Sequence, residues 1–354
     1  MKVAALTSGL HTPSARFRVR QYLSKLKTLG VEVTDYRPAV SNAARLPGAL
    51  RHIRMRYMPP VMIGQSLLNV ALRVPGVLGS HRADVTWLER SFAPGCDDLS
   101  FVLKRPLVVD IDDAIWLYNP FGASMIGRLV RRADMVFAGN SFLAEWSSQY
   151  CRNVRMIPTA IDAERFRPAD EGASARSAGR EGFVVGWTGT SGNFRFLRDI
   201  EPALAAFLGA HPDATFLVVA DERPMLPSLP PAQLKFVQWT PDVEHSVLAE
   251  MDVGIMPIDD SDLSRGKCSF KMLQYMAAGL PVVVSPFGMN AEVLQMGEIG
   301  YGARTNDEWL GALQALYDDA SVRARFGRTG RAVIEADFST AIVAGKIANA
   351  FAGL

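Results

Sequence analysis

Residues 264–286, SRGKCSFKMLQYMAAGLPVVVSP, decide how the rest of the chain is read. The segment opens as a polar loop. Phe270, Leu273, Met276 or Ala277, and Leu280 then recur at helical spacing and are expected to face a core. Gly279 and Pro281 stop that helix, and Pro281-Val282-Val283-Val284 is an apolar run suited to a parallel strand covered on both faces. The opposite helix face carries Lys267, Lys271 and Gln274. Two lysines at a helix start oppose the positive end of its dipole, at about 0.3–1 kcal/mol each. An anion held by the free backbone N–H groups of the first turn reverses that cost. A phosphate-bearing ligand is the simplest candidate; the alternative is that both ammonium groups point into water.

Working outward, the segments before residue 264 repeat one pattern. Residues 183–187, 215–219, 234–237 and 252–257 read as strands, separated by helical or polar stretches. The loop at 188–193 is small and polar. Gly189 and Gly192 let backbone approach a pyrophosphate there, with the Thr190 and Ser191 hydroxyls as donors. Residues 305–336 read as helix, and a last helix follows Phe338-Ser339-Thr340. Glu292 suits either a sugar contact or a first-turn dipole role. Trp239, after the 234–237 run, is as well suited to a core as to a ligand.

The N-terminal half uses the same grammar. Residues 2–6, 31–33, 84–88, 107–110, 134–137 and 154–157 read as strands. The opening strand–loop–helix–strand is that of a Rossmann-like unit, but the loop lacks the G-x-G-x-x-G of a nicotinamide dehydrogenase. It delivers Ser14, Arg16 and Arg18 instead, and arginines there suit a phosphate or carboxylate. Asp110, Asp112 and Asp113 close the 107–110 strand at the carboxyl edge, where open α/β sheets bind ligands. One of them can act as a base or orient an acceptor hydroxyl; Asp112 can also simply cap the next helix. Residues 168–182, without apolar periodicity, read as linker.

Composition bounds the rest. A chain of 354 residues suits two domains, and 49% hydrophobic content is that of a globular protein. Net charge is +2, yet residues 1–82 hold 13 Lys/Arg against only Glu32 and Asp35. Such a balance points to an anionic partner or bilayer surface, and no nucleic-acid-binding motif accompanies it. Residues 42–80 alternate basic and apolar residues, as a membrane-interface segment does, or as helices with a basic outer face do. The lipophilic window at 59–79 is broken by Gln65, Asn69, Arg73 and Pro75, a poor span. Cys96, Cys151 and Cys268 form neither a metal cluster nor a disulfide framework, so a reducing cytoplasm is expected. The five histidines give no Ser-His-Asp set.

The string GKCSFKMLQYMAAGLPVVVSPFGMNAEVL resembles the donor site of retaining two-domain glycosyltransferases, and more narrowly the bacterial family 4 group. TPSARFRVRQYL, VVDIDDAIW, ADMVFAGNSFLAEW, IPTAIDAERFRP and VGWTGTSGN fit in the same order. The resemblance implies a GT-B fold: two doubly wound Rossmann-like domains facing a cleft, with the C-terminal helix crossing back. Domains are expected at 1–170 (acceptor) and 183–337 (nucleotide-sugar), joined by a linker at 171–182 and followed by the crossover helix at 338–354. It implies transfer of a hexosyl or N-acetylhexosaminyl group from a nucleotide-sugar to a cell-envelope glycan or glycolipid, on the inner face of the cytoplasmic membrane. Gly189, Thr190, Ser191, Lys267, Ser269, Phe270, Lys271 and Gln274 would hold the donor, Ser14, Arg16 and Arg18 the acceptor, and the Asp110, Asp112 and Asp113 edge the reacting centre. The lysines would neutralise the leaving diphosphate, so no metal or other cofactor is expected. Asp-x-Asp is also the metal motif of single-domain glycosyltransferases, whose other segments are missing here.

One departure stands out. The family carries two glutamates separated by seven residues; here the first falls at Gly266 and the second at Gln274. Glutamine still hydrogen-bonds a hydroxyl but adds no charge. A non-catalytic nucleotide-sugar-binding protein of the same fold is therefore the alternative, and a sugar-nucleotide epimerase a further one.

Overall fold

The computed structural model describes residues 1–10, 12–38, 59–93, 97–168 and 182–354, with side chains of the 59–80 helix described from Leu68 onward. The chain divides into two compact units, Met1–Ala160 with Thr340–Leu354, and Ile161–Ser339. Arg51, Arg54 and Arg56, and all of the expected 171–182 linker except Gly182, lie outside the described residues.

The first unit is a six-stranded parallel sheet in the order β2-β1-β3-β4-β5-β6. Its strands are β1 (Lys2–Leu6), β2 (Glu32–Tyr36), β3 (Val85–Glu89), β4 (Leu107–Ile111), β5 (Met135–Ala138) and β6 (Val154–Met156). Helices α1 (Pro13–Arg18), α2 (Leu23–Thr28), α3 (Pro59–Ser80), α4 (Gly122–Arg132) and α5 (Ser141–Ser148) connect them. Strands β3, β4 and β5 are buried along their whole length, so their near-continuous apolar runs are those of a sheet covered on both faces. The C-terminal helix, Thr340–Ala352, returns to this unit and buries Val343, Ile347 and Phe351. Phe351 meets Trp87 edge-on at 5.4 Å between ring centroids.

The second unit is another parallel sheet, ordered β12-β11-β10-β7-β8-β9. Its strands are β7 (Phe183–Thr188), β8 (Ala214–Ala220), β9 (Leu234–Gln238), β10 (Val253–Met256), β11 (Val282–Val284) and β12 (Gly300–Gly302). Its helices are α6 (Phe194–Asp199), α7 (Glu201–Ala210), α8 (Val243–Ser246), α9 (Asp262–Arg265), α10 (Phe270–Ala277), α11 (Met289–Leu294), α12 (Asn306–Asp318) and α13 (Ala320–Val333). The order changes direction between β7 and β10, which places a ligand crevice of the doubly wound kind at their carboxyl ends. Ile161–Pro168, expected with the first domain, is bonded into the second: the Ile161 N–H donates to Phe338 O at 2.8 Å, and Arg331 reaches the carbonyls of Ala163 and Phe166. The 305–336 helix is also broken, at Asp319, whose carboxylate accepts the Ser321 and Val322 N–H groups.

Candidate functional site

Helix α10 follows β10 through the loop that carries α9, and starts at the carboxyl edge of the second sheet. Ser269, just before it, has the left-handed backbone φ 49° and offers no side-chain cap. The helix is nearly buried all round: Met272, Leu273, Gln274, Tyr275, Met276 and Ala277 are inside. Gln274 was expected on the outer face with the lysines; it is 1% exposed, in a helix that packs on β10, β11 and α13, and its amide is bonded to Glu244. Tyr275 fits only because Gly254 in β10 has no Cβ, and its hydroxyl accepts the Thr188 N–H at 2.8 Å. That bond fixes the end of β7 to α10, and burial pushes the phenol up to about 12.

The polar groups around this helix start form two connected sets. Lys267 donates from Nζ to Asn193 Oδ1 at 2.9 Å and stands 4.8 Å from the Phe196 ring centroid. Lys271 donates to Gln274 Oε1 at 3.0 Å, and Gln274 Nε2 donates to Glu244 Oε1 at 3.4 Å. Glu244 is 5% exposed and has Arg165 at 3.7 Å. Both lysines are half-buried, with side chains turned to protein partners. Cations held against a helix start whose first-turn amides lack a side-chain cap form an anion-binding arrangement. Glu244 is a residue the sequence reading missed; nothing in its local sequence, PDVEHS, marks it.

In the 188–193 loop, Gly189 packs under Trp187, where a Cβ would lie 2.4 Å from the indole. Ser191 gives both its N–H and its hydroxyl to Asp221, at 2.6 and 2.9 Å. The Thr190 hydroxyl accepts from Asn193 Nδ2, the same amide whose oxygen receives Lys267. The loop is therefore hydrogen-bonded both to α10, through Tyr275, and to the residues just before it, through Lys267. Phe270, expected in the core, is half-buried, its ring 5.6 Å from Lys271 Nζ.

The first unit corrects part of the sequence reading. Arg18 and Asp110 were expected at a ligand; they are each 1% exposed and paired with each other at 2.8 Å. Asp110 also accepts from Trp87 Nε1 at 3.1 Å, and Arg18 donates to Ile157 O at 2.7 Å. The physical reason is that β4 is an inner strand covered on both faces, so a side chain within it is buried whichever way it points. Desolvation, only partly offset by Arg18, pushes its carboxyl up to about 6. Asp112 and Asp113 lie beyond the strand. Asp112 takes a two-pronged contact from Arg90, at 2.6 and 3.1 Å, and Asp113 accepts from the Tyr118 hydroxyl. Burial raises the Asp113 carboxyl above its ordinary range. Arg90 holds φ 63°, rare for a side-chain-bearing residue, while reaching Asp112, Asp113 and Glu89. Ser14 is buried, and its hydroxyl has no hydrogen-bond partner among the described residues. Arg16 is half-buried over the Phe17 ring.

Residues 183–319 match the family described as Glycosyl transferases group 1. The chain is 27% identical over 172 residues to the "Putative teichuronic acid biosynthesis glycosyltransferase TuaH" of Bacillus subtilis (strain 168), an alignment covering 44% of this chain and 41% of that protein. It thus spans about two fifths of that relative. Among solved structures, Alr3699/HepE of Anabaena in complex with UDP and glucose superposes with a TM-score of 0.70 at 17% identity, all of both chains covered. Sucrose-phosphate synthase from Thermosynechococcus elongatus gives 0.72 at 14% identity, covering 99% of this chain and 98% of that one. At these identities the structural likeness bears on fold.

Proposed function

We propose that the chain is a glycosyltransferase that moves a sugar from a nucleotide-sugar to a cell-envelope glycan or glycolipid, a reading supported by the match of residues 183–319 to glycosyl transferases group 1 and by a two-sheet fold like that of sucrose-phosphate synthase. The observation that carries this reading is the pairing of Lys267 and Lys271 with Asn193 and Gln274 at the start of α10. In transfer, the bond from the anomeric carbon to the diphosphate breaks, one forms to the acceptor oxygen, and the hydroxyl proton leaves. The charge that develops sits on the diphosphate, and cations fixed beforehand in a sheltered site stabilise it most effectively. On this reading the lysines and the α10 amides do that work without a metal. UDP and UDP-glucose in the HepE complexes support a uridine nucleotide as the first donor to try.

The acceptor belongs to the first unit. With Arg18 and Asp110 turned inward, Ser14, Arg16, Asp112 and Asp113 are the groups proposed to meet it, with Asp113 as the hydroxyl's partner. Retention of configuration, the family 4 assignment and a hexosyl or N-acetylhexosaminyl donor follow from the motif resemblance. A lipid-linked acceptor would bring the basic residues 1–82 to an anionic surface on the cytoplasmic side of the membrane. Among the described residues no helix is long and apolar enough to cross a membrane.

The test is a thermal-shift panel of UDP-, GDP- and dTDP-sugars, since a ligand that binds the folded state raises its melting temperature. It is followed by calorimetry of the winning nucleotide with Lys271→Ala. Loss of one charge-assisted contact predicts about 10- to 100-fold weaker binding. Unchanged affinity would reject the phosphate role. Gln274 in place of a glutamate favours one second reading, a non-catalytic binder, which requires affinity for the nucleotide-sugar and no UDP release with any acceptor.

A further inference from the structure

Lys271 is held from behind by a chain of side chains. Its Nζ donates to Gln274 Oε1 at 3.0 Å, and Gln274 Nε2 donates to Glu244 Oε1 at 3.4 Å. Arg165 stands 3.7 Å from Glu244 Oε2. These residues all belong to the second unit, yet they come from three separate stretches, the 161–168 segment, α8 and α10. Arg165 is itself tied to the loop before α8, donating to Pro241 O at 2.8 Å. Gln274 and Glu244, the middle members, are both buried, so water competes little for their bonds.

The order of these groups fixes the geometry. An ammonium only donates and an ionised carboxylate only accepts. The Gln274 amide therefore satisfies both neighbours in one orientation alone, oxygen toward Lys271 and nitrogen toward Glu244. Turned over, it would set N–H against ammonium and carbonyl against carboxylate. A lysine side chain loose in water gives up rotamer freedom when an anion orders it, whereas one already held by protein gives up less and binds more tightly. An ammonium has three N–H donors, so the bond to Gln274 can stand while a diphosphate is bound. We propose that Glu244 is a positioning residue of the anion site: its carboxylate sets the Gln274 amide, and the amide sets Lys271 for the diphosphate. This rests on the function proposed above and adds to it a residue that acts through another. Charge alone argues the opposite, since a carboxylate near an anion site weakens it. The two effects differ in sign, which makes them separable.

The experiment is calorimetry of nucleotide binding to the full chain in a double-mutant cycle: wild type, Glu244→Ala, Lys271→Ala and the two together. The probe is whichever of UDP, GDP and dTDP the thermal-shift panel selects. Glu244→Ala is expected to weaken binding about 3- to 10-fold in the wild-type background, and less than about twofold once Lys271 is gone. Glu244→Gln keeps a carbonyl for Gln274 Nε2 and is expected to recover most of that loss. Should Glu244→Ala not fold, Gln274→Met takes its place in the same cycle, cutting the chain at its middle member with a side chain of similar size. Equal weakening by Glu244→Ala with and without Lys271 would mark a general effect on the fold and overturn the proposal. So would no recovery in Glu244→Gln, or tighter binding in Glu244→Ala, the signature of a merely repelling charge. Weaker binding in Lys271→Ala beside wild-type affinity in Glu244→Ala overturns the positioning role and leaves the anion site standing. Wild-type affinity in Lys271→Ala, or failure of wild type to bind any of the three nucleotides, removes both.

Discussion

Burial sorts the carboxylates of the first unit. Asp110 and Asp97 are 1% and 3% exposed, and desolvation pushes each up to about 6. Asp97 makes the cleaner test, because its main bond is from the Phe92 N–H at 2.7 Å, which an amide oxygen also accepts. In the unfolded chain an aspartate titrates near 3.9. Between pH 4 and 6 the folded state therefore binds more protons than the unfolded state, and stability is lost as pH rises through that window. Asp97→Asn is expected to stabilise the protein by about 1–3 kcal/mol at pH 7.5 and by almost nothing at pH 4. Urea titrations at the two values check it; an equal gain at both, or a loss at pH 7.5, would contradict the burial argument. The Arg18–Asp110 pair also marks what sequence hides. Both residues could be named as charged groups near a sheet edge, but they are 92 positions apart and no local pattern says that they neutralise each other.

At the scale of elements, most strands were legible because each is an apolar run. The one missed, Gly300–Gly302, is three residues with glycine at both ends and carries no such signal. The helix expected after β1 is interrupted, with α1 ending at Arg18 and α2 starting at Leu23, since periodicity tolerates the 3-10 turn at Arg20–Tyr22. Helix α10 was placed correctly in sequence, but its exposure was not. Periodicity located the apolar face, while burial of Gln274 and Tyr275 comes from neighbours distant in sequence. Tyr275 gives the element its own test. Tyr275→Phe leaves the Thr188 N–H without its acceptor, a loss of about 1–3 kcal/mol for a buried donor. Calorimetry should also show weaker nucleotide binding, as the β7 loop loosens from the helix. Wild-type stability and affinity in this variant would mean that the bond does not organise the site.

At the scale of the whole chain, the fold class was readable because strand, loop and helix recur twice around two separate apolar sets. The boundary was not, since Ile161–Pro168 reads like its predecessors and is claimed by bonds to Phe338 and Arg331. The C-terminal helix belongs to the first unit's core, so Phe351→Ala should cost about 3–5 kcal/mol there. Hydrogen exchange is expected to quicken in β1, β3 and β4 and to stay unchanged in β7 to β11; equal quickening in both would refute the assignment. The proposed transfer requires an anion site at the start of α10. A crystal structure of the protein with bound UDP tests this most directly. The diphosphate is predicted within about 3 Å of Lys271 Nζ and the first amides of α10, with Lys267 beside it. UDP bound elsewhere, with Lys267 and Lys271 still closed on Asn193 and Gln274, would rule out a diphosphate site at α10.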